Sequence, residues 1–106
     1  MKEIKAFIRP ELLDDVLEPL YAHPEFPGVT ISTVQGFGQK VGRDNANSFC
    51  EVAMIKLEMI VNNDLVEEVV RILMEGARTG KPGDGKIAVY DVERVAKISS
   101  GKWLEP

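Results

Sequence analysis

The sequence predicts an α+β domain in which a four-stranded antiparallel sheet carries two helices on one face. Two segments repeat the apolar spacing i, i+1, i+4, i+5, i+8, which places five apolar side chains on one stripe of a helix. Each segment lies between short runs rich in β-branched residues. The order βαβ, loop, βαβ therefore indicates two similar halves packed around one core.

Both predicted helices have a marked beginning. Pro10 suits the first turn of the first helix, because its missing N–H is not needed there. Asp64 with Glu67 three residues later resembles an acidic capping box at the start of the second helix. The apolar stripes consist of Leu12, Leu13, Val16, Leu17 and Leu20, and of Leu65, Val66, Val69, Val70 and Leu73.

Four β-branched runs predict the strands: Ile4 to Ile8, Val29 to Val34, Val52 to Val61 and Lys86 to Val92. The third alternates apolar and polar residues over most of its length, the period of a strand with one buried face. The whole plan is that of a ferredoxin-like sandwich. Aliphatic residues on both sheet faces predict oligomerisation, and a closed ring leaves no strand edge free. The short run Val95 to Ile98 is expected to add a strand at such a contact.

The composition of the chain excludes several classes of protein function. We expect the 106 residues to form one soluble domain, because no apolar run approaches eighteen residues. The amino terminus has no leader pattern, so we expect a cytoplasmic protein without membrane insertion. A net charge of −4 argues against a nucleic-acid binder. With only Cys50 and His23, the chain can form neither an intrachain disulfide nor a Cys/His zinc cluster. No nucleophile paired with a base is evident, so we expect no enzyme and no catalytic residue.

The segment TGKPGDGK, Thr79 to Lys86, follows the nucleotide-binding pattern G-x-x-x-x-G-K until Ile87 stands in place of Ser or Thr. A true P-loop precedes a helix, whereas this segment follows the second predicted helix and precedes a strand, so a P-loop NTPase is rejected. Its three glycines can turn successive N–H groups into an anion-binding nest, and Lys81 and Lys86 flank them. An alternative explains the composition equally well: Gly80 caps the second helix, and the residues from Pro82 to Gly85 form only a tight turn.

With GFG at 36–38, the stretch TGKPGDGKIAVYDVERV resembles the signature of the PII signal-transduction proteins, and the similarity extends from Lys2 to about Ile98. The resemblance implies a homotrimer of ferredoxin-like subunits with an adenine nucleotide in the clefts between neighbours. It also implies a mobile T-loop, about residues 38–53, that controls an unidentified target protein, with membrane transporters among the candidates. The other segments are a phosphate-binding B-loop at 79–86 and a C-terminal tail at 99–106. Trp103 in that tail is expected to pack over a subunit edge.

The resemblance also assigns roles to single residues. In the B-loop, main-chain N–H groups and the Lys86 ammonium would neutralise phosphate, whereas Asp84 would not contact it directly. Arg94 and Lys97 would come from the neighbouring subunit, although an ordinary surface ion pair explains Arg94 nearly as well. The implied nucleotide-binding set is Thr30, Gly36, Phe37, Gly38, Ile60, Gly83, Asp84, Gly85, Lys86, Arg94 and Lys97. ADP, AMP or ATP would act as an allosteric ligand, and no obligatory cofactor or metal is implied.

Three departures from the family pattern qualify these roles. Lys97 and Ser99 stand where two arginines are usual, which predicts a relative preference for ADP or AMP over ATP. The T-loop is shorter than in the nitrogen-sensing members and has no tyrosine for uridylylation. Met54 replaces the lysine of the oxoglutarate site, and Gln39 lies one place early. The second effector is therefore not assigned, and oxoglutarate, bicarbonate and a metal are all candidates.

The irregular segment Gly38 to Glu51 is expected to be the functional loop, although a solvated hairpin explains most of its residues. The effector candidates there are Gln39, Lys40, Arg43, Ser48 and Cys50; an incidental small residue is the simpler explanation of Cys50. The leading function is thus a non-catalytic, nucleotide-sensing regulator. The alternatives are a trimeric metal-tolerance protein of the CutA type, which shares the fold but lacks TGKxGDGK, and a slow nucleotide hydrolase.

Overall fold

The structure, a computed structural model, describes residues 1–41 and 47–104, and the side chains of all of these except 39–41 and 47–50. Within these ranges, two helices and six strands follow one another along the chain. They are β1 (Lys2–Ile8), α1 (Leu13–Ala22), β2 (Thr30–Val41), β3 (Asn47–Val61), α2 (Val66–Ala77), β4 (Lys86–Asp91), β5 (Val95–Lys97) and β6 (Lys102–Leu104). One turn of 3₁₀ helix precedes each α-helix, at Pro10–Leu12 and at Asn63–Leu65.

The four long strands form one antiparallel sheet in the order β2-β3-β1-β4, with Ile8 opposite Ile55 and Phe7 opposite Lys86. Both helices pack on the same face of this sheet. The predicted ferredoxin-like fold, with its two βαβ halves, is therefore confirmed. The amino-terminal ends of β1 and β2 lie at one end of the sheet, and the amino-terminal end of β4 lies at the other.

The core lies between the helices and the sheet. Strand β1 and the part of β3 from Ile55 to Val61 each bury every second side chain, as their period of two requires. The predicted helical stripes supply Val16 and Leu20 from α1, Leu65 from the 3₁₀ turn before α2, and Val69 and Leu73 from α2. Of the remaining predicted stripe residues, Leu13, Val66 and Val70 pack partly buried against this core. The sequence analysis missed Ile72 and Ala77, which are also buried.

A close approach between α1 and α2 depends on two residues that the sequence analysis did not single out. Pro19 lies inside α1, so the Asp15 carbonyl loses its usual N–H donor four residues later. Gly76 of α2 packs against this carbonyl, and a Cβ on Gly76 would come within 2.9 Å of the Asp15 oxygen. A glycine is therefore needed where the helices cross.

The second face of the sheet carries charged residues beside its aliphatic ones. Lys5 Nζ lies 3.8 Å from Glu3 Oε1, and Lys56 Nζ lies 3.4 Å from Glu58 Oε1. Lys5 also lies over the Tyr90 ring, 5.4 Å from its centroid. The alternation in β3 places Lys56 and Glu58 on the same face as Ile60, so these charges reduce the apolar area of that face.

The connection predicted as irregular over Gly38 to Glu51 is largely paired backbone. Strands β2 and β3 stay in register from Thr30 opposite Glu58 to Val41 opposite Asn47. Since β1 ends opposite Ile55, residues 34–41 and 47–54 project beyond the sheet as a two-stranded ribbon. Such a ribbon has no core to cover, so no apolar alternation is imposed on its sequence, and the periodicity test could not detect it.

The prediction that Asp64 caps α2 through its side chain was wrong. Within the described residues, no side-chain capping hydrogen bond starts α2; instead the chain enters through the 3₁₀ turn, in which the Leu65 N–H donates to the Asn62 carbonyl at 3.0 Å. The Val66 N–H, which an Asp64 cap would have served, bonds to the Asn63 carbonyl. The additional strand predicted at Val95 to Ile98 is present as β5, and it pairs with β6 of the tail in a separate two-stranded sheet.

Candidate functional site

The B-loop, residues 79–86, connects the end of α2 to the start of β4 and depends on glycine geometry. Gly80, Gly83 and Gly85 have φ values of +83°, +94° and +101°, a region that other residues rarely adopt. Gly85 also passes so close to β1 that an added Cβ would lie 1.8 Å from the Phe7 carbonyl oxygen. The turn therefore requires its glycines, whatever it binds.

The Asp84 carboxylate organises the B-loop from within. Its Oδ2 accepts hydrogen bonds from the backbone N–H groups of Thr79 at 2.8 Å and Gly80 at 2.9 Å, and its Oδ1 accepts one from the Thr79 hydroxyl. Arg9 Nε donates to Oδ1 at 2.9 Å. Both carboxylate oxygens of Asp84 thus accept hydrogen bonds from the protein itself.

Hydrogen bonding lowers the pKa of the Asp84 carboxyl well below its ordinary value. The Thr79 hydroxyl contributes most, the Arg9 guanidinium next, and the Thr79 and Gly80 backbone N–H groups add to the effect. Desolvation opposes this shift but does not prevail. Asp84 is therefore a carboxylate throughout the physiological pH range, and the network that it holds is permanent there.

Arg9 is the site residue that the sequence analysis missed. It follows β1 directly, and besides its bond to Asp84 it donates from Nη2 to the Pro82 carbonyl at 2.9 Å. Arg9 and Asp84 are 75 residues apart in sequence. Only the pairing of β1 with β4 brings them together, so no local motif could have pointed to this arginine.

The GFG segment lies at the same end of the sheet as the B-loop. Gly36 pairs with Val52 at the base of the ribbon, and the Phe37 side chain is 73% exposed. Between the two segments, Met54 reaches the B-loop, since its Cε would lie 3.3 Å from a Cβ on Gly85. The position where the family pattern has a lysine thus carries an apolar contact to the B-loop.

Thr30 and Ile60 lie away from the B-loop. Thr30 begins β2, and Ile60 precedes the last residue of β3, opposite Glu3. Both line an open cavity of about 590 Å³, together with Tyr21 and Gly28. Two residues of the implied nucleotide-binding set, Thr30 and Ile60, therefore share a cavity.

Arg94 and Lys97 also lie away from the B-loop, beyond the carboxyl end of β4. The Val92 N–H donates to the Met1 carbonyl at 3.2 Å, which fixes this segment beside the start of β1. Arg94 stacks on Trp103, with its Cζ 3.6 Å from the ring centroid, and Lys97 is exposed on β5. Trp103, which was predicted to cover a subunit edge, thus contacts Arg94 of its own chain.

The predicted nucleotide residues therefore fall at two ends of one sheet. Lys86 and Asp91 are the ends of β4, separated by about 17 Å at the usual rise of a strand. The B-loop and GFG lie at one end, and Thr30, Ile60 and Arg94 lie towards the other. Within one protomer the two groups do not form a single compact site.

The structure describes the effector candidates of the ribbon only in part. The backbone of Gln39, Lys40, Ser48 and Cys50 belongs to β2 or β3, but their side chains lie outside the described residues, as does Arg43 entirely. Their predicted roles therefore stay predictions.

Comparison with known proteins identifies the family. A family model described as "Nitrogen regulatory protein P-II" matches residues 1–102. Similar curated proteins are the "Nitrogen regulatory protein P-II" of Pasteurella multocida and that of Haemophilus influenzae, each 41% identical over 96% of this chain and 95% of the relative. The "Nitrogen regulatory protein P-II 1" of Escherichia coli K12 is 40% identical with the same coverage. The chain belongs to the P-II family.

Membership in the P-II family makes the chain a signal-transduction regulator and does not favour the CutA-type alternative. Among the residues that the structure describes, no helix is long and apolar enough to cross a membrane. In the same residues, no three His, Cys, Asp or Glu side chains are grouped so that they could hold a metal ion.

Proposed function

We propose that this P-II family protein is a non-catalytic regulator that binds an adenine nucleotide between the subunits of a homotrimer. The nucleotide phosphates would lie against the B-loop of one subunit, with Lys86 as the charge partner. Arg94 and Lys97 of the neighbouring subunit would contribute further positive charge. The T-loop ribbon would then present a ligand-dependent surface to a target protein.

The observation that supports this proposal most is the separation of the two groups of residues. Lys86 and Arg94 lie at opposite ends of the same sheet, so a compact site that uses both is built most simply from two protomers. A ring of subunits that places one end of each sheet beside the other end of its neighbour would complete every site. The same ring would cover the second face of the sheet and its outer strands.

The B-loop offers the right chemistry for the phosphate end of such a ligand. Three positive-φ glycines shape the loop, a backbone geometry typical of anion-binding nests, and Lys81 and Lys86 are exposed beside them. The one acidic residue of the loop does not oppose an anion directly, because Asp84 is already paired with Arg9. The loop therefore combines a prearranged backbone with exposed ammonium groups.

Regulation requires that the ligand prefer one state of the ribbon. GFG forms the base of the ribbon at the same end of the sheet as the B-loop, and Met54 links the two by contact. Phosphate bound at the B-loop would therefore be able to change the pose of the ribbon. The target and any second effector, whether oxoglutarate, bicarbonate or a metal, would be recognised there.

Isothermal titration of the wild type and of Lys86→Ala with ADP, AMP and ATP tests the proposal. We expect the wild type to bind ADP and the variant to bind it about tenfold more weakly, because a charge-assisted contact to phosphate is lost. Arg71→Ala, which removes a cation from the exposed surface of α2, is the control and should leave binding unchanged. A wild type that binds no adenine nucleotide would refute the proposal.

The same titrations test the nucleotide preference. Lys97 and Ser99 provide one ammonium and no charge where two guanidinium groups are usual, so a third phosphate gains little. We therefore expect ADP or AMP to bind at least as tightly as ATP. ATP bound much more tightly than ADP would contradict this preference while leaving the intersubunit site intact.

A further inference from the structure

The C-terminal hairpin holds an aromatic face against a candidate phosphate-binding arginine. Trp103 lies on β6 opposite Ala96 of β5, and the Arg94 guanidinium carbon lies 3.6 Å from the centroid of its ring. This distance is well inside the range for a cation–π contact. Trp103 is the only tryptophan of the chain, and it is still 54% exposed.

Hydrogen bonds in the turn between β5 and β6 hold the strand that carries Trp103. The Gly101 N–H donates to the Lys97 carbonyl at 2.9 Å, and the Ser100 hydroxyl donates to the same carbonyl at 3.3 Å. The Lys102 N–H in turn donates to Ser100 Oγ at 3.2 Å. This turn sets the position of β6, the strand that carries Trp103, beside the arginine.

Stacking orients a guanidinium without using its hydrogen-bond donors. The N–H groups lie in the guanidinium plane, so a ring against its flat face leaves all five of them pointing outwards. Arg9 shows the opposite arrangement, since its Nε and Nη2 already donate hydrogen bonds to Asp84 and Pro82. Within the described part of the chain, Arg94 forms no ion pair.

We propose that Trp103 is a positioning residue for phosphate recognition, because its ring holds the Arg94 guanidinium flat and leaves the donor edge free for the phosphates of a nucleotide on the adjoining protomer. This inference rests on the proposed intersubunit site. It assigns the β5–β6 hairpin a role in ligand binding beyond pairing its own strands. The affinity gained from Trp103 should appear only for ligands that carry phosphate.

Titrations with ADP and with adenosine test this role in five proteins. They are the wild type, Trp103→Leu, Trp103→Phe, Arg94→Ala and the double variant that combines Trp103→Leu with Arg94→Ala. Trp103→Leu should weaken ADP binding about fivefold to tenfold, the range of a partly desolvated cation–π contact, and leave adenosine binding unchanged. In the Arg94→Ala background the same change should have no further effect, because the group that it positions is gone. Trp103→Phe, which keeps an aromatic face, should restore most of the ADP affinity.

Three outcomes would overturn the role of Trp103. They are wild-type ADP affinity in Trp103→Leu, an equal loss of ADP and adenosine binding, and a further loss in the Arg94→Ala background. An equal loss would show that the hairpin matters only as structure. A wild type that binds neither ligand would instead overturn the proposed function, and this inference with it.

Discussion

Replacing Gly85 by alanine is expected to destabilise the protein by more than about 3 kcal/mol and to abolish ADP binding. A Cβ at this position would lie 1.8 Å from the Phe7 carbonyl oxygen, a distance that no side-chain rotation can relieve, because both atoms are fixed to the backbone. The φ of +101° adds a conformational cost for any L-residue with a side chain. The B-loop would have to leave β1, and the Asp84 network would break.

Gly80→Ala is the matched control in the same loop. Gly80 also has a positive φ, +83°, but no atom of the described residues lies within 4 Å of where its Cβ would stand, so only the conformational cost of about 1 kcal/mol applies. Urea denaturation and ADP titration of both variants separate the two effects. Equal losses in the two variants, or a Gly85→Ala protein as stable as the wild type, would contradict the close contact between the B-loop and β1.

Asp84→Asn is expected to lower ADP affinity about thirtyfold, although Asp84 itself is not expected to contact phosphate. The amide has nearly the same shape as the carboxylate but no charge, so it cannot serve Arg9, Thr79 and Gly80 together as acceptor. The backbone N–H groups of the loop then lose their fixed direction. Calorimetry at pH 7 measures the effect, and Asp64→Asn, at an exposed position near the other end of the sheet, is the control.

The pH dependence of stability gives an independent test of the same network. Because the pKa of Asp84 is lowered in the folded protein, its contribution is complete above the unfolded-state value of about 4 and is lost as the pH falls through the folded value. The stability difference between the wild type and Asp84→Asn should thus be constant from about pH 5 to 8 and shrink below pH 4. A difference that grows on acidification would show that the charge of Asp84 is not what stabilises the loop.

The parts of the fold that bury an apolar face could be predicted from the sequence. The stripes of α1 and α2 and the alternation in β3 report directly which side meets the core, and the burial of Val16, Leu57 and Leu73 follows. The ribbon and β6 were not predicted as strands because neither covers the core. Their backbone pairing leaves no periodic trace in the sequence.

The candidate site was predictable only where a local motif carries it. The glycines and Lys86 of TGKPGDGK could be assigned from the sequence, because their spacing alone implies a turn with outward N–H groups. The partners Arg9 and Trp103 could not, since each reaches its contact through strand pairing between distant or weakly patterned segments. The residues that support the site from outside the motif are therefore determined by the fold and not by the local sequence.

Mixing two defective proteins tests the intersubunit site most directly. Lys86→Ala lacks the B-loop cation and Arg94→Ala lacks the guanidinium expected from the neighbouring subunit, so homotrimers of either should bind ADP weakly. When equal amounts are unfolded and refolded together, about one quarter of the interfaces should join an intact B-loop to an intact Arg94 and recover wild-type affinity. Calorimetry that finds this fraction of tight sites would support the account. No recovery on mixing, or tight ADP binding by an isolated monomer, would contradict it.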